Sequence, residues 1–278
     1  MSAMLERLVG LAARELKMDP AELRRRNMIP KEKFPYKLVN GSVYDSGDPI
    51  GVMADATKAA GWNDAAKWES RRAEAKQRGK LLGRGMACCI ESTAGSSVDE
   101  VEIRFAAEGK VMVYCNTKST GQGHETAFAQ VAADALGVPL EHVKVIEGDP
   151  NVTVQGGGSG GSRSMQFGGS VVLMGSREVI KKGMALAAKN LEAAEADIEF
   201  DHGRFRIKGT DRGVSLEALV KNNPGALDSR VQGKHDPTWP NGCHIAEVEV
   251  DEATGEIDML SYLACDDAGN IINHQLVE

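Results

Sequence analysis

Twice in this chain a cluster of glycines and small polar residues runs straight into an amphipathic segment. The first is Thr120-Gly121-Gln122-Gly123-His124, ahead of a helical stretch that ends near Leu136; the second is Gly156 to Ser164, ahead of a longer one that reaches Ala193. The first turn of a helix leaves backbone N–H groups without intrahelical partners, and the aligned peptide dipoles make that end attractive to an anion. Glycine lets a ligand approach the backbone without meeting a Cβ. Two such loops in one chain point to one phosphorylated ligand held twice. Gln122 carries an amide that donates and accepts, Arg163 a forked cation, and Ser162 and Ser164 hydroxyls. Neither loop has the Gly-Lys-Ser/Thr of a P-loop, nor the Gly-x-Gly-x-x-Gly of a dinucleotide fold, so the usual nucleotide sites are disfavoured. The alternative for each loop is a flexible connection, since turns require glycine in any case.

Around these loops the patterning is mixed. Leu5, Leu8, Val9, Ala12 and Leu16 recur at helical spacing, and a second helix starts at once with Asp19 as N-cap, Pro20 at its first position and Glu22 completing a capping-box-like pattern. Residues 34–49 predict loop or short strand, with turns at Asn40-Gly41 and Gly47-Asp48-Pro49. Helices over 52–60 and 65–78 flank a break at Gly61-Trp62-Asn63. Strands are predicted over 85–90, 98–105 and 110–115, the last two joined by a turn at Glu108-Gly109, and over 143–146. Gly137 and Pro139 stop the helix that begins at His124. Near the C-terminus Ala246, Val248 and Val250 alternate with Glu247 and Glu249, a turn follows at 251–255, and 257–265 makes the return strand. The fold class expected is α+β, with mixed sheets flanked by helices and both glycine loops at one end of a cleft.

Several functions are excluded by composition. The 33 Lys and Arg against 40 Asp and Glu give a net charge of -7, which argues against a nucleic-acid groove. Arg24, Arg25 and Arg26 form a basic triplet at a predicted helix end, where they complement the helix dipole. No apolar run approaches the roughly 18 residues of a membrane span, and Met1 to Gly10 has no export-signal pattern. Cys88, Cys89, Cys115, Cys243 and Cys265 lack paired Cys-x-x-Cys spacing, so reduced thiols in a cytoplasmic protein are expected, with Cys88 and Cys89 buried in a strand.

The motif Gly121-Gln122-Gly123-His124-Glu125-Thr126, followed by Gln130, Ala133-Asp134, Leu136-Gly137-Val138-Pro139 and Gly148-Asp149, resembles the large molybdenum subunit of the xanthine dehydrogenase, aldehyde oxidase and carbon monoxide dehydrogenase family. In the same order, Asp19 to Asn27 resembles that family's helical segment, Gly160-Gly161-Ser162-Arg163-Ser164 its second cofactor loop, and Val248 to Asn273 its Val-Asp-x-x-Thr-Gly hairpin. The resemblance implies a molybdopterin-binding-domain-like fold and a molybdenum hydroxylase. Its pyranopterin, in bacteria usually the cytosine dinucleotide form, holds molybdenum without a protein ligand. Gln122 would then hydrogen-bond near the molybdenum oxo group, Gly121 and Gly123 would admit the pterin, and Gly160, Gly161, Ser162, Arg163 and Ser164 would hold pterin or phosphate oxygens. His124 would either contact the cofactor or serve as a solvated helix start. FAD and a 2Fe-2S cluster are expected on partner chains, an FAD subunit and an iron–sulfur subunit.

The resemblance also implies two departures. The family's arginine- and glycine-rich loop lies upstream of the helix that begins here near Met4, and its catalytic glutamate lies beyond the position of Glu278. Residues 1–82 are therefore expected to complete a first cofactor-binding lobe and residues 83–278 to form a second, truncated one. No catalytic residue is assigned. Asp149, Asp266 and Asp267 are expected to serve turns or loops, with Glu91 the best remaining carboxylate, because a general base must reach a specific proton. The expected function is a partial hydroxylase subunit acting on an aldehyde, an N-heterocycle or a similar small molecule, inactive alone. The alternatives are a non-catalytic module completing a split molybdenum subunit with a second polypeptide, and an unrelated phosphate-binding domain. A truncated chain is expected to expose apolar patches and self-associate.

Overall fold

The computed structural model describes residues 2–93, 98–106 and 109–278, so Glu108 of the expected 108–109 turn lies outside the described residues. The chain forms two compact units. One comprises Met1–Ser92 and Thr238–Gly269, the other Thr93–Pro237 and Asn270–Glu278. The α+β class expected from the sequence is observed. Among the described residues no helix is long and apolar enough to cross a membrane.

In the first unit a three-stranded antiparallel sheet has Asn241–Asp251 at its centre, between Lys80–Ile90 and Ile257–Asp266. The boundary expected after residue 82 falls inside the Lys80–Ile90 strand, which pairs along its whole length with Asn241–Asp251. Helices Pro49–Ala59 and Ala65–Gln77 are capped as their sequences dictate. Asp48 accepts from the Gly51 N–H and Asp64 from the Lys67 N–H. Met53, Ala56 and Trp62 pack on Cys243 and Ile245 to form the core.

The 246–250 alternation is present, but its acidic members are the buried ones. Glu247 and Glu249 share a face with Cys243 and Ile245, and each meets an arginine from the neighbouring helical segment. Arg71 Nη2 lies 2.6 Å from Glu247 Oε2, and Arg78 pairs with Glu249. Arg84 stacks over the Trp62 ring at 4.1 Å and donates to the Trp62 carbonyl at 2.8 Å.

The first two helices, Ser2–Glu15 and Pro20–Asn27, follow their capping signals only in part. Asp19 caps the Ala21 and Glu22 N–H groups, while the Glu22 carboxylate turns forward to Arg25 and Arg26 instead of closing a capping box. Arg24 stands in the last turn of its helix, as expected, and is also buried, bonded to Glu6 Oε2 at 2.6 Å, to the Pro20 carbonyl at 3.0 Å and to the Met86 carbonyl at 3.1 Å. Leu5 and Leu8 of the first helix, and Leu16 just past its end, remain exposed.

In the second unit a four-stranded sheet runs Ser229–Lys234, Val98–Phe105, Val111–Cys115, Val143–Glu147. The last pair is parallel, joined through helix His124–Leu136. Val101, Ile103, Val111 and Val113 point into a core with Phe128, Leu136, Val172 and Val179. The long helix Ser170–Leu191 approaches the sheet closely at Gly175, where a Cβ would stand 2.7 Å from Val101 Cγ1. A meander of Ile198–Asp201, Arg204–Ile207 and Gly213–Ser215, and the helix Leu216–Asn222, complete the unit. None of them was foreseen.

Removing one member of a buried ion pair leaves the other uncompensated. Arg24→Ala is therefore expected to destabilise the first unit by about 3 kcal/mol, read as a lower urea midpoint. Arg25→Ala, at an exposed position, should leave that midpoint nearly unchanged. Equal effects would contradict the anchoring role of Arg24.

Candidate functional site

Both glycine loops belong to the second unit, and they meet. The first follows strand Val111–Cys115 and ends at the N-cap Gly123, whose φ of 73° is left-handed. The second follows residue 154 and enters a π-helical turn, Ser164–Gly169, before the long α-helix begins. Asn116 ties the two together, donating to the Val154 carbonyl at 3.1 Å and accepting from the Gly158 N–H at 2.8 Å, while the Ser159 hydroxyl donates to the Lys118 carbonyl. The segment that leads from the strand into the first glycine loop is thus hydrogen-bonded directly to the second.

The side chains divide into those that build the loops and those left over. Arg163 builds. It is buried, its Nη2 lies 2.7 Å from Asp99 Oδ2, its Nη1 donates to the Gly158 carbonyl at 2.8 Å, and it stacks on Phe167. Asp99 also accepts from the Gly157 N–H at 2.8 Å. The forked cation expected to reach a phosphate is instead turned inward, because a buried carboxylate is the stronger partner for it. Ser162 has a φ of 59°, a left-handed value for a non-glycine residue that costs on the order of 1 kcal/mol and persists only where surrounding structure holds it.

His124 is buried rather than solvated. It stacks on Phe128, and its Nδ1 lies 3.9 Å from Glu147 Oε1 without a hydrogen-bond partner among the described residues. Burial pushes the imidazole down in pKa, so it is neutral, and pushes the Glu147 carboxyl up against the opposing Ser119 N–H. Burial also raises the neighbouring Cys115 thiol to about 12.

The glycines divide in the same way. A Cβ at Gly156 would stand 2.6 Å from Asp99 Oδ1, and one at Gly123 2.7 Å from Leu276, so the protein's own packing requires both. At Gly121 and Gly160 a Cβ would meet nothing within 4 Å. Gly121, Gln122, Gly160, Gly161 and Ser162 are exposed, and Ser164 is half-buried. Gln122 Oε1 folds back on the Thr120 N–H, which leaves its amide nitrogen without a partner among the described residues. The joined loops thus present exposed glycine backbone and small polar groups to open space, as a bulky ligand contacting main chain requires.

Comparison with known proteins gives this geometry a family. Residues 56–278 match the molybdopterin cofactor-binding domain. The chain belongs to that family. The large chain of carbon monoxide dehydrogenase from Hydrogenophaga pseudoflava is 34% identical over 299 residues, which cover 99% of this chain and 37% of that protein. The large subunit of nicotine 6-hydroxylase from Paenarthrobacter nicotinovorans is 30% identical, with 98% of this chain and 36% of that protein covered. The structure of carbon monoxide dehydrogenase from Oligotropha carboxidovorans superposes with a TM-score of 0.89 at 31% identity, over 98% of this chain and 37% of that one. This molybdopterin-binding chain spans little more than a third of the length of those relatives.

Sequence reasoning missed the residues that hold the two glycine loops in place: Asp99, Glu100, Asn116 and Glu147. The available signal, for Asp99 and Glu100, was a pair of adjacent acids near the start of a strand, one of which must face the core and is costly there unless a cation or N–H group meets it. The remaining expected carboxylates serve local structure. Asp149 accepts from the Asn151 N–H and Asp267 from the Gly269 N–H. Two expectations fail in the first unit. Cys89 is exposed and Cys88 half-buried, and Asp266 ends a strand beside His244 instead of making a turn.

Glu100 accepts from Arg230, from the Gln155 N–H at the start of the second loop, and from Gln232, and the Arg230 guanidinium chiefly holds its carboxyl down at about 2. A carboxyl depressed on folding contributes stability above its unfolded pKa of about 4.3. That contribution is lost as pH falls from there towards 2. Glu100→Gln should flatten the fall in urea midpoint between about pH 4.3 and pH 3 and speed amide exchange at 155–158. An unchanged pH slope would contradict this role.

Proposed function

We propose that this chain forms part of the molybdenum-binding large subunit of an oxidative hydroxylase and holds molybdopterin, as the cytosine dinucleotide, on its two joined glycine loops. The observation that carries the reading is the open space over Gly121 and Gly160 on loops that hydrogen-bond to each other. When bound, the cofactor supplies two-electron redox chemistry for oxygen transfer from water to substrate. The chain's own residues position it. The N–H groups around Gly121 and Gly160 to Ser162 face the ligand, the Gln122 amide and the hydroxyls of Ser162 and Ser164 donate to it, and His124 packs beneath the first loop as a neutral wall. Arg163 acts at one remove, keeping the second loop against Asp99.

On this reading the two cofactor-binding lobes follow the two compact units, the first taking residues 1–92 and 238–269 in place of the expected 1–82. The partners are an iron–sulfur subunit and an FAD subunit, which carry electrons away, and the substrate is an aldehyde, an N-heterocycle or a similar small molecule. Named relatives support that range, one called a carbon monoxide dehydrogenase and another a nicotine 6-hydroxylase.

The second reading, a module that completes a split subunit, is favoured by exposed apolar side chains: Leu5 and Leu8 on the first helix, Leu16 just past its end, and Ile257, Met259 and Tyr262 on the last strand of the first unit. Such surfaces are expected where another polypeptide covers them.

The test is co-expression with candidate partner chains, followed by molybdenum and pterin analysis of what co-purifies. The chain alone should show no molybdenum-dependent hydroxylation. The complex should contain pterin, and Gly160→Val should lower its content about tenfold, the effect of roughly 1.4 kcal/mol of clash. A Cβ there meets no protein atom within 4 Å, and unchanged far-ultraviolet dichroism would separate the loss from misfolding. Full pterin content in that variant would sink the assignment.

A further inference from the structure

The sheet of the first unit carries a cluster that the cofactor reading does not use. Gly242 in the central strand pairs with Cys89 on one side and with Asp266 on the other. His244, two residues on, points to the same face, as Tyr262 does through its pairing with Ala246. That face is opposite the one occupied by Cys243, Ile245, Glu247 and Glu249. Adjacent strands lie about 4.8 Å apart, so Cys89 and Asp266 are separated by a full strand. They converge because Gly242 has no side chain. A Cβ there would stand 1.9 Å from Asp266 Oδ1 and 3.3 Å from Cys89 Sγ. The Sγ of Cys89, a ring nitrogen of His244 and a carboxylate oxygen of Asp266 all lie within 4.8 Å of one another.

We propose that Cys89, His244 and Asp266 bind a zinc ion over Gly242. A thiolate, an imidazole and a carboxylate form a donor set that suits Zn2+ and is too soft for Mg2+ or Ca2+. Three protein ligands leave a fourth tetrahedral position for water. Tetrahedral zinc, with bonds of about 2.0–2.3 Å, requires the three donor atoms to draw in by about an ångström, which side-chain rotation at exposed Cys89 and Asp266 allows.

His244 is already oriented. Its Nε2 is 3.0 Å from Asp266 Oδ1 and its Nδ1 2.7 Å from the Tyr262 hydroxyl. In the bound state the imidazole carries its proton on Nδ1, donated to the Tyr262 hydroxyl, which leaves the Nε2 lone pair for the metal. The Cys89 thiol gives up its proton to solvent and binds as the thiolate. Hydrogen bonding alone accounts for the His244, Asp266 and Tyr262 contacts without Cys89, whose sulfur meets the Gly242 backbone instead. Cys89 therefore decides between the two. The site shares no residue with the glycine loops, so it stands or fails separately from the cofactor reading.

The test is titration of the full chain, freed of metal, with Zn2+ against a chromophoric chelator, and with Co2+ followed by absorption. One equivalent of Zn2+ should bind, and Co2+ should give a thiolate-to-metal charge-transfer band. Cys89→Ser is nearly isosteric and exposed, so it should keep the far-ultraviolet dichroism yet lose the band. His244→Ala and Asp266→Asn should each weaken Zn2+ binding by more than the roughly tenfold expected for Tyr262→Phe, and His202→Ala, at an exposed histidine elsewhere, should change nothing. Absence of stoichiometric binding by the folded chain, or binding unaffected by Cys89→Ser, would overturn the proposal.

Discussion

The buried contact between Arg163 and Asp99 governs where the second glycine loop lies. A loop of five glycines in seven residues, Gly156 to Ser162 apart from its two serines, has little preference of its own. Here the Asp99 carboxylate takes the Gly157 N–H and the Arg163 guanidinium together, and Arg163 in turn holds the Gly158 carbonyl. Such a pair adds little net stability over apolar packing, because both charges must be desolvated, but losing either partner is costly. Its effect is specificity of position. It fixes one side of the loop to the strand Val98–Phe105 and leaves the other side, around Gly160, facing outward.

Asn116 extends the same constraint to the first loop. With one carboxamide bonded to Val154 and Gly158, the two loops cannot move independently without breaking buried hydrogen bonds. A ligand spanning both would meet a surface already ordered, and little conformational entropy would be lost on binding. Beneath the first loop burial disfavours the charged form of both His124 and Glu147, lowering the one in pKa and raising the other.

Much of this was legible in the sequence, and the limits have a common cause. The helix His124–Leu136 was readable from its period, from Gly123 before it and from Gly137 after it, all local signals. The hairpin of Asn241–Asp251 with Ile257–Asp266 was readable from alternation and a turn. What could not be read were pairings between distant residues. Glu247 is buried because Arg71 meets it from 176 positions away, and Arg163 turns inward because Asp99 lies 64 positions upstream. Local pattern assigns an acid to solvent and an arginine beside glycines to a ligand; a remote partner reverses both. Likewise four glycines that look equivalent in sequence serve two purposes, Gly123 and Gly156 yielding to neighbouring side chains and Gly121 and Gly160 facing open space.

The central claim is that one ligand is held by both loops at once. Amide hydrogen exchange of the partner-bound chain, compared with and without its molybdenum cofactor, tests this most directly. Slowed exchange at 121–124 and at 160–164 together, with the Val98–Phe105 strand unchanged, is the predicted result. Protection confined to one loop, or to neither, would contradict it.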